Sequence, residues 1–257
     1  MTRQKTTDTP LTFWEHLDVL RSSLLKMLAA AIVTSVVAFF LKDELFALIL
    51  APSRSDFVTY RWMGAEAFSL HLINTELTEQ FMIHVRVSLM VGVLVASPFI
   101  IFILYRFISP ALYANERRYS LRLTLAAYAM FLLGIVVNYL LVFPLTVRFL
   151  GTYQVSQGVE NMLAISSYID TLLMMSIVFG VIFEIPVVAW LLATFGLIRY
   201  EWMTRYRRHA IVIILTLAAI ITPTADIITL LLVSLPIWLL YEASIQIVKL
   251  KNRATPD

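Results

Sequence analysis

The chain is 257 residues long, 60% hydrophobic and 14% charged, with a formal net charge of +3 and no cysteine. A soluble domain carries about 25% charged residues, so these values and a mean hydropathy of +0.83 exclude an ordinary water-soluble protein and indicate an integral membrane protein. Without cysteine there is no disulfide framework, thiolate metal site or Cys nucleophile.

In chain order, residues 1–23 read as a cytoplasmic amphipathic segment. Met1-Thr-Arg-Gln-Lys5 lacks the early apolar core of a cleaved signal peptide, so the first hydrophobic stretch is expected to stay as a span. In Phe13-Trp14-Glu15-His16-Leu17-Asp18-Val19-Leu20-Arg21, Leu17 and Leu20 share a helical face with Leu24, Glu15 and Asp18 share another, and Trp14 suits the headgroup level. A single histidine beside two carboxylates is a weak metal signal. Six apolar segments approach the ~20 residues that a bilayer crossing needs. They are predicted near 24–46, 81–105, 121–147, 168–196, 210–225 and 227–248, within one polytopic domain spanning 1–257. Residues 47–80, with Arg54, Asp56, Arg61, Glu66, Glu76 and Glu79 among aromatics, read as an outer loop with one interfacial helix. Residues 249–257 read as a cytoplasmic tail.

Basic residues set the expected sidedness. With six spans and the N-terminus inside, the cytoplasmic set is Arg3, Lys5, Arg21, Lys26, Arg106, Arg117, Arg118, Arg122, Arg199, Arg205, Arg207, Arg208, Lys249, Lys251 and Arg253. Only Lys42, Arg54, Arg61, Arg86 and Arg148 fall outside, so both termini are expected to be cytoplasmic. Pro223-Thr-Ala-Asp226 alone joins segments five and six. A run of about 16 residues covers ~24 Å of a ~30 Å hydrocarbon core, so a short hairpin that thins the bilayer is expected. Pro98, Pro144, Pro186 and Pro236 fall inside or at the ends of spans. Each frees a carbonyl and bends its helix, which lipid tolerates only where neighbours compensate. The resulting fold class is all-α, with six kinked transmembrane helices in a curved, concave arrangement. No internal repeat is visible, which argues against inverted-repeat transporters.

Two carboxylates stand out. Glu116 sits in the loop Phe107-Ile-Ser-Pro110-Ala-Leu-Tyr113-Ala-Asn-Glu116-Arg117-Arg118, in a strongly basic setting behind a turn stiffened by Pro110, and reads as a receptor carboxylate. Glu184, in Phe179-Gly-Val-Ile-Phe183-Glu184-Ile-Pro186, lies at bilayer depth, where a carboxylate costs ~2.5–3.5 kcal/mol to insert and is functional by default. A neighbouring hydroxyl or a carbonyl freed at Pro186 could instead satisfy it. Pro52 and Asp226 fall at outer span ends, where helix capping is the plainer role for Asp226. Glu242 has Lys249 as one possible partner. There is no Walker A, His-Glu-x-x-His, Gly-x-Ser-x-Gly or Rossmann pattern, so an ATPase or hydrolase is not expected, nor any cofactor, metal or nucleic acid. A secondary transporter or channel using Glu184 as an ion site is the rival reading; it requires solute flux by the purified protein alone.

The chain resembles the TatC family, the polytopic core subunit of the twin-arginine (Sec-independent) protein translocase. The matching stretches are Phe13-x-Glu15-His16-Leu17-x-x-Leu20-Arg21, Ala51-Pro52, Phe107-Ile-x-Pro110-Ala-Leu-Tyr113-x-x-Glu116-Arg117-Arg118, Phe143-Pro144, Phe179-Gly180-x-x-Phe183-Glu184-x-Pro186, Thr222-Pro223 and Pro236-x-x-Leu239-x-Tyr241-Glu242. The resemblance implies a bacterial inner-membrane receptor for twin-arginine signal peptides that moves folded proteins with the proton-motive force. It also implies an oligomeric complex with TatA, and with TatB where present. It places signal-peptide binding on Glu116, Phe107, Arg117, Pro110, Tyr113, His16, Leu20 and Arg21. Intramembrane and partner contacts fall on Glu184, Pro186, Asp226 and Pro52. Two positions depart from the family pattern: Val19 stands where a second carboxylate is usual, and Leu230 where a Gln often follows the Asp226-like acid.

Overall fold

A computed structural model describes residues 13–64, 68, 70–108, 120–153, 162–222 and 226–254. With neither Gly nor Pro to interrupt it, α1 (Phe13–Phe39) joins the amphipathic start and the first apolar segment in one 27-residue helix. The charged run Lys42-Asp43-Glu44 opens a separate helix, α2 (Lys42–Ile49), followed by a tight 3₁₀ turn at Ala51–Ser53 and α3 (Val58–Trp62). The outer region thus holds more helix than the single interfacial one that its polarity suggested.

The long helix α4 (Glu79–Ile108) packs antiparallel on α1 at very close range. A Cβ on Gly92 would lie 2.1 Å from Ser35 Oγ and 2.5 Å from Ser35 Cα, so only glycine permits this approach. Thr34 Oγ1 donates to the Gly92 carbonyl at 2.7 Å, and the Phe39 ring stacks on His84 at 4.1 Å. Small residues and hydroxyl bonds are what hold helices together in lipid, where the hydrophobic effect between them vanishes.

Next come α5 (Ser120–Val137), a π-helical turn at Asn138–Val142, and α6 (Phe143–Thr152). Pro144 has no N–H to offer Leu140, and the Thr59 hydroxyl donates to that carbonyl instead. Pro98 likewise leaves the Leu94 carbonyl free, and Ser97 Oγ donates to it at 2.6 Å. At these two prolines, side chains supply the compensation that lipid requires. Tyr60, 1% exposed, donates to the carbonyls of Pro52 at 2.8 Å and Pro144 at 2.9 Å, tying α3 to the kink. Burial pushes its phenol well above the usual range, so it stays a neutral donor.

The fourth apolar segment divides into α7 (Ile165–Ile182) and α8 (Ile185–Thr194), broken at Phe183-Glu184 just before Pro186. Gly196, at φ +72, closes α8 with the Leu197 N–H on the Leu192 carbonyl at 3.0 Å. Then follow α9 (Tyr200–Arg205), α10 (Arg207–Ile221) and α11 (Ile227–Ala254).

Five helical stretches among the described residues are long and apolar enough to cross a membrane: Leu17–Phe39, Glu79–Leu104, Leu123–Thr152, Ile165–Thr194 and Ile227–Lys251. The sixth expected segment is α10, only 15 residues long. Its neighbour α11 runs for 28 residues, reaching Ala254 in the stretch read as a tail, rather than matching the brevity of α10. One feature lies outside an all-α description: β1 (His71–Ile73) and β2 (Met162–Ala164) pair in parallel, Leu72 opposite Leu163. Three-residue strands are too short for an alternating pattern to show in sequence.

The core runs through α4, α6, α7, α10 and α11, with Val87, Phe143, Ile169, Met175, Phe179, Ala218, Val233 and Ile237 all at 0% exposure. The exterior is apolar too: Leu24, Leu25, Leu28, Ile32, Val33 and Val36 of α1 are exposed, as a lipid-facing surface requires.

Candidate functional site

Helices α4, α5, α7 and α8 enclose one side of an open apolar groove of about 800 Å³. Its walls include Val93, Ile101, Leu104, Phe131, Ile177 and Val188, with Arg86 at one end and Glu184 towards the other. The groove exists because α5 and α7 meet at paired glycines. A Cβ on Gly134 would lie 2.4 Å from the Phe179 carbonyl oxygen, and one on Gly180 would lie 2.7 Å from the Phe131 ring. Asn138, fully buried in the π-helical turn, donates to Ser176 Oγ at 3.0 Å across the same contact.

Glu184 occupies the break between α7 and α8, where the chain must leave regular helical bonding ahead of Pro186. Its Oε1 is buried and has no hydrogen-bond partner among the described residues, so none of their hydroxyls or freed carbonyls satisfies that oxygen. A buried carboxyl oxygen left without a donor is costly to the fold. Pro186 is buried beside it.

An ion pair that charge counting passed over stands at the opposite end. Arg86 Nη1 lies 2.8 and 2.7 Å from the two carboxylate oxygens of Asp170, both residues about half exposed. Each lies inside a long apolar run, where opposite charges are expected to pair; the sequence held that much of the signal, but not which charge meets which. Glu79 went unnoticed as an anchor: 5% exposed, it accepts from the backbone N–H groups of Thr75 (2.6 Å), Glu76 (3.1 Å) and Ser166 (3.1 Å). One carboxylate at the start of α4 thereby holds the turn before its own helix and caps the first turn of α7, fixing two walls of the groove.

The predicted signal-peptide residues divide. Glu116, Arg117, Pro110 and Tyr113 lie outside the described residues, as does the His16 side chain. Leu20 and Arg21 are on α1, Arg21 exposed, and Phe107 is half-buried in the last turn of α4. Phe39 pairs with His84 and Ser35 with Leu89. Continuing that antiparallel register at equal rise brings Leu17–Arg21 alongside Leu104–Phe107. Two motifs far apart in sequence therefore converge at one end of the α1–α4 pair.

Pro52 is buried, its carbonyl held by Tyr60. Asp226 caps α11: its Oδ1 accepts the Thr229 N–H at 2.8 Å, and its carboxylate also accepts the Thr229 hydroxyl. Glu242 pairs with Arg207 at 2.9 Å, while Lys249 lies over the Tyr200 ring at 5.3 Å. The described residues contain no cluster of three or more metal-ligating side chains.

Against known proteins, residues 15–236 match the family described as Sec-independent protein translocase protein (TatC). The chain is 32% identical over 242 residues to the Sec-independent protein translocase protein TatC of Carboxydothermus hydrogenoformans, covering 94% of each. It is 34% identical over 245 residues to that of Aquifex aeolicus, covering 95% of this chain and 96% of the relative. A crystal structure described as the twin arginine translocase receptor TatC superposes with a TM-score of 0.78 at 34% identity, covering 93% of this chain and all of that one.

Proposed function

The chain belongs to the TatC family of Sec-independent protein translocase proteins, and from that premise we propose that it is the receptor subunit that binds twin-arginine signal peptides. Membership makes it a multi-pass membrane component of a protein translocase, not an enzyme. In our reading α10 is a sixth, short span: its 15 residues reach about 22 Å, less than a ~30 Å core, so the bilayer thins beside it. Both termini lie on the cytoplasmic side of the bacterial inner membrane, as the distribution of Lys and Arg favours.

The feature that supports the reading is the groove with Glu184 in its wall, whose α4 wall runs on to Phe107, the residue that the helical register brings towards Leu20-Arg21 on α1. The signal peptide's paired arginines engage Glu116, since a carboxylate accepts a guanidinium fork in planar, bidentate geometry. Phe107, Pro110, Tyr113 and Arg117, with His16, Leu20 and Arg21, shape that cytoplasmic end. The apolar part of the peptide then lies along the groove, where Glu184, beside Pro186, meets the peptide or a partner helix. Pro52 and Asp226 mark the outer contacts with TatA, and with TatB where present, in an oligomeric complex driven by the proton-motive force.

The test measures binding of a twin-arginine peptide and its twin-lysine counterpart to the purified protein, with and without Glu116→Gln. Preference for arginine in the wild type, lost in the variant, is the expected result. If neither change matters with TatA and TatB also present, Glu116 is not the receptor carboxylate. Flux of a small solute through the purified chain alone would point instead to the transporter reading.

A further inference from the structure

The corner between α9 and α10 forms a cleft of about 680 Å³ lined by Thr204, Arg205, Tyr206, Arg207, Arg208 and His209. Three guanidinium groups within four positions repel one another unless anions neutralise them. Arg207 has a counter-ion in Glu242, but its Nε is buried and has no acceptor among the described residues. Arg205 and Arg208 form no ion pair among the described residues, and Glu201, one turn before Arg205, makes none with it. The cleft therefore holds more positive charge than the protein around it balances.

Its surroundings select the anion. The cleft follows closely after α8, which ends the stretch Ile165–Thr194, so it sits at the level where a membrane span emerges. Tyr206 of the cleft is exposed, its ring meeting that of His209 edge to face at 5.4 Å, and Trp202, one turn earlier on α9, is exposed too. Exposed Trp and Tyr at such a level favour the headgroup region. Immediately along α10, Ile211, Val212 and Ile213 are exposed to the apolar phase. A free phosphate would use the arginines and ignore this apolar face. A phospholipid uses both, its phosphodiester in the guanidinium forks and its acyl chains against α10.

We propose that the α9–α10 cleft is a binding site for the headgroup phosphate of an anionic phospholipid, held chiefly by Arg205 and Arg208. The site is independent of signal-peptide recognition and stands or falls separately from it. Its test is native mass spectrometry of the purified, delipidated full chain titrated with phosphatidylglycerol, phosphatidylcholine or inorganic phosphate. The wild type is expected to bind phosphatidylglycerol at least roughly tenfold more tightly than phosphatidylcholine. Arg205→Gln with Arg208→Gln is expected to lose most of that preference. The pair Lys26→Gln with Arg199→Gln removes the same charge outside the cleft and is expected to leave affinity within about twofold. Should the glutamine pair fail to fold, Arg205→Lys with Arg208→Lys keeps the charge but loses the fork, and is expected to weaken binding to a smaller degree. Three results overturn the proposal: unchanged affinity in the cleft variants, equal loss in the control pair, or inorganic phosphate binding as tightly as the lipid.

Discussion

Gly92 and Gly151 pose nearly the same nominal clash, and they should respond oppositely to the same substitution. A Cβ on Gly92 would lie 2.1 Å from Ser35 Oγ and 2.5 Å from both Ser35 Cα and N; one on Gly151 would lie 2.2 Å from the Leu70 Cδ2. In the first case the obstacle is the backbone of α1, so α1 and α4 must separate by about 1 Å to reach ordinary contact. That separation also stretches the bond from Thr34 to the Gly92 carbonyl. In the second case the obstacle is the far end of a flexible side chain, which can change rotamer. Alanine recovers about 0.8–1 kcal/mol of helix propensity at either site, while overpacking costs ~1–3 kcal/mol where the neighbour cannot yield. Gly92→Ala is therefore expected to be destabilising, by up to about 2 kcal/mol, and Gly151→Ala to be neutral or slightly stabilising. In thermal unfolding of the detergent-solubilised protein, each kcal/mol corresponds to roughly 2–4 °C for a domain of this size. Adding Ser35→Gly removes Cβ and Oγ but leaves the Ser35 N and Cα 2.5 Å from the new Cβ, so it should restore less than half of the Gly92→Ala loss. A larger fall for Gly151→Ala than for Gly92→Ala, or full rescue by Ser35→Gly, would refute the claim that the α1 backbone sets this contact.

Other expectations follow from the same geometry. Tyr60→Phe leaves the Pro52 and Pro144 carbonyls without their donor and should cost about 1–3 kcal/mol, seen as a lowered unfolding midpoint; an unchanged midpoint would show that the hydroxyl is dispensable. Glu184→Leu removes a carboxyl with an unengaged oxygen from an apolar wall and should raise the midpoint, by at most about 2.5–3.5 kcal/mol. The same variant should reduce export of a twin-arginine reporter, so stabilised protein with full export would separate Glu184 from function. Arg86→Gln strands Asp170 and should cost about 1–2 kcal/mol, less than a fully buried pair because both partners are half exposed. Adding Asp170→Asn should recover at least half of that loss, and a further drop would mean that the two residues are not coupled.

Much of the architecture is legible from residues taken one at a time. The apolar stretches locate the membrane helices, because the transfer of each side chain from water to lipid depends on that side chain alone. Pro98 and Pro144 mark their kinks for a local reason, the missing N–H, although the donors that repair them, Ser97 and Thr59, lie at unrelated distances along the chain. Glu184 is conspicuous as an acid in an apolar run; that its Oε1 stays unengaged depends on which helix faces surround it. Asp170 and Arg86 are 84 positions apart, and nothing in either neighbourhood names the other. Likewise, a glycine in a helix signals close approach only in outline; the identity of the neighbour, α1 at Gly92 and α7 at Gly134, is settled by the rotation and crossing of helices. Composition and periodicity thus determine what each segment is, since those are properties of a residue and its solvent. The groove, its ion pair and the cleft at α9–α10 are decided by tertiary packing, because they are made of pairings, and a pairing exists only when two faces meet.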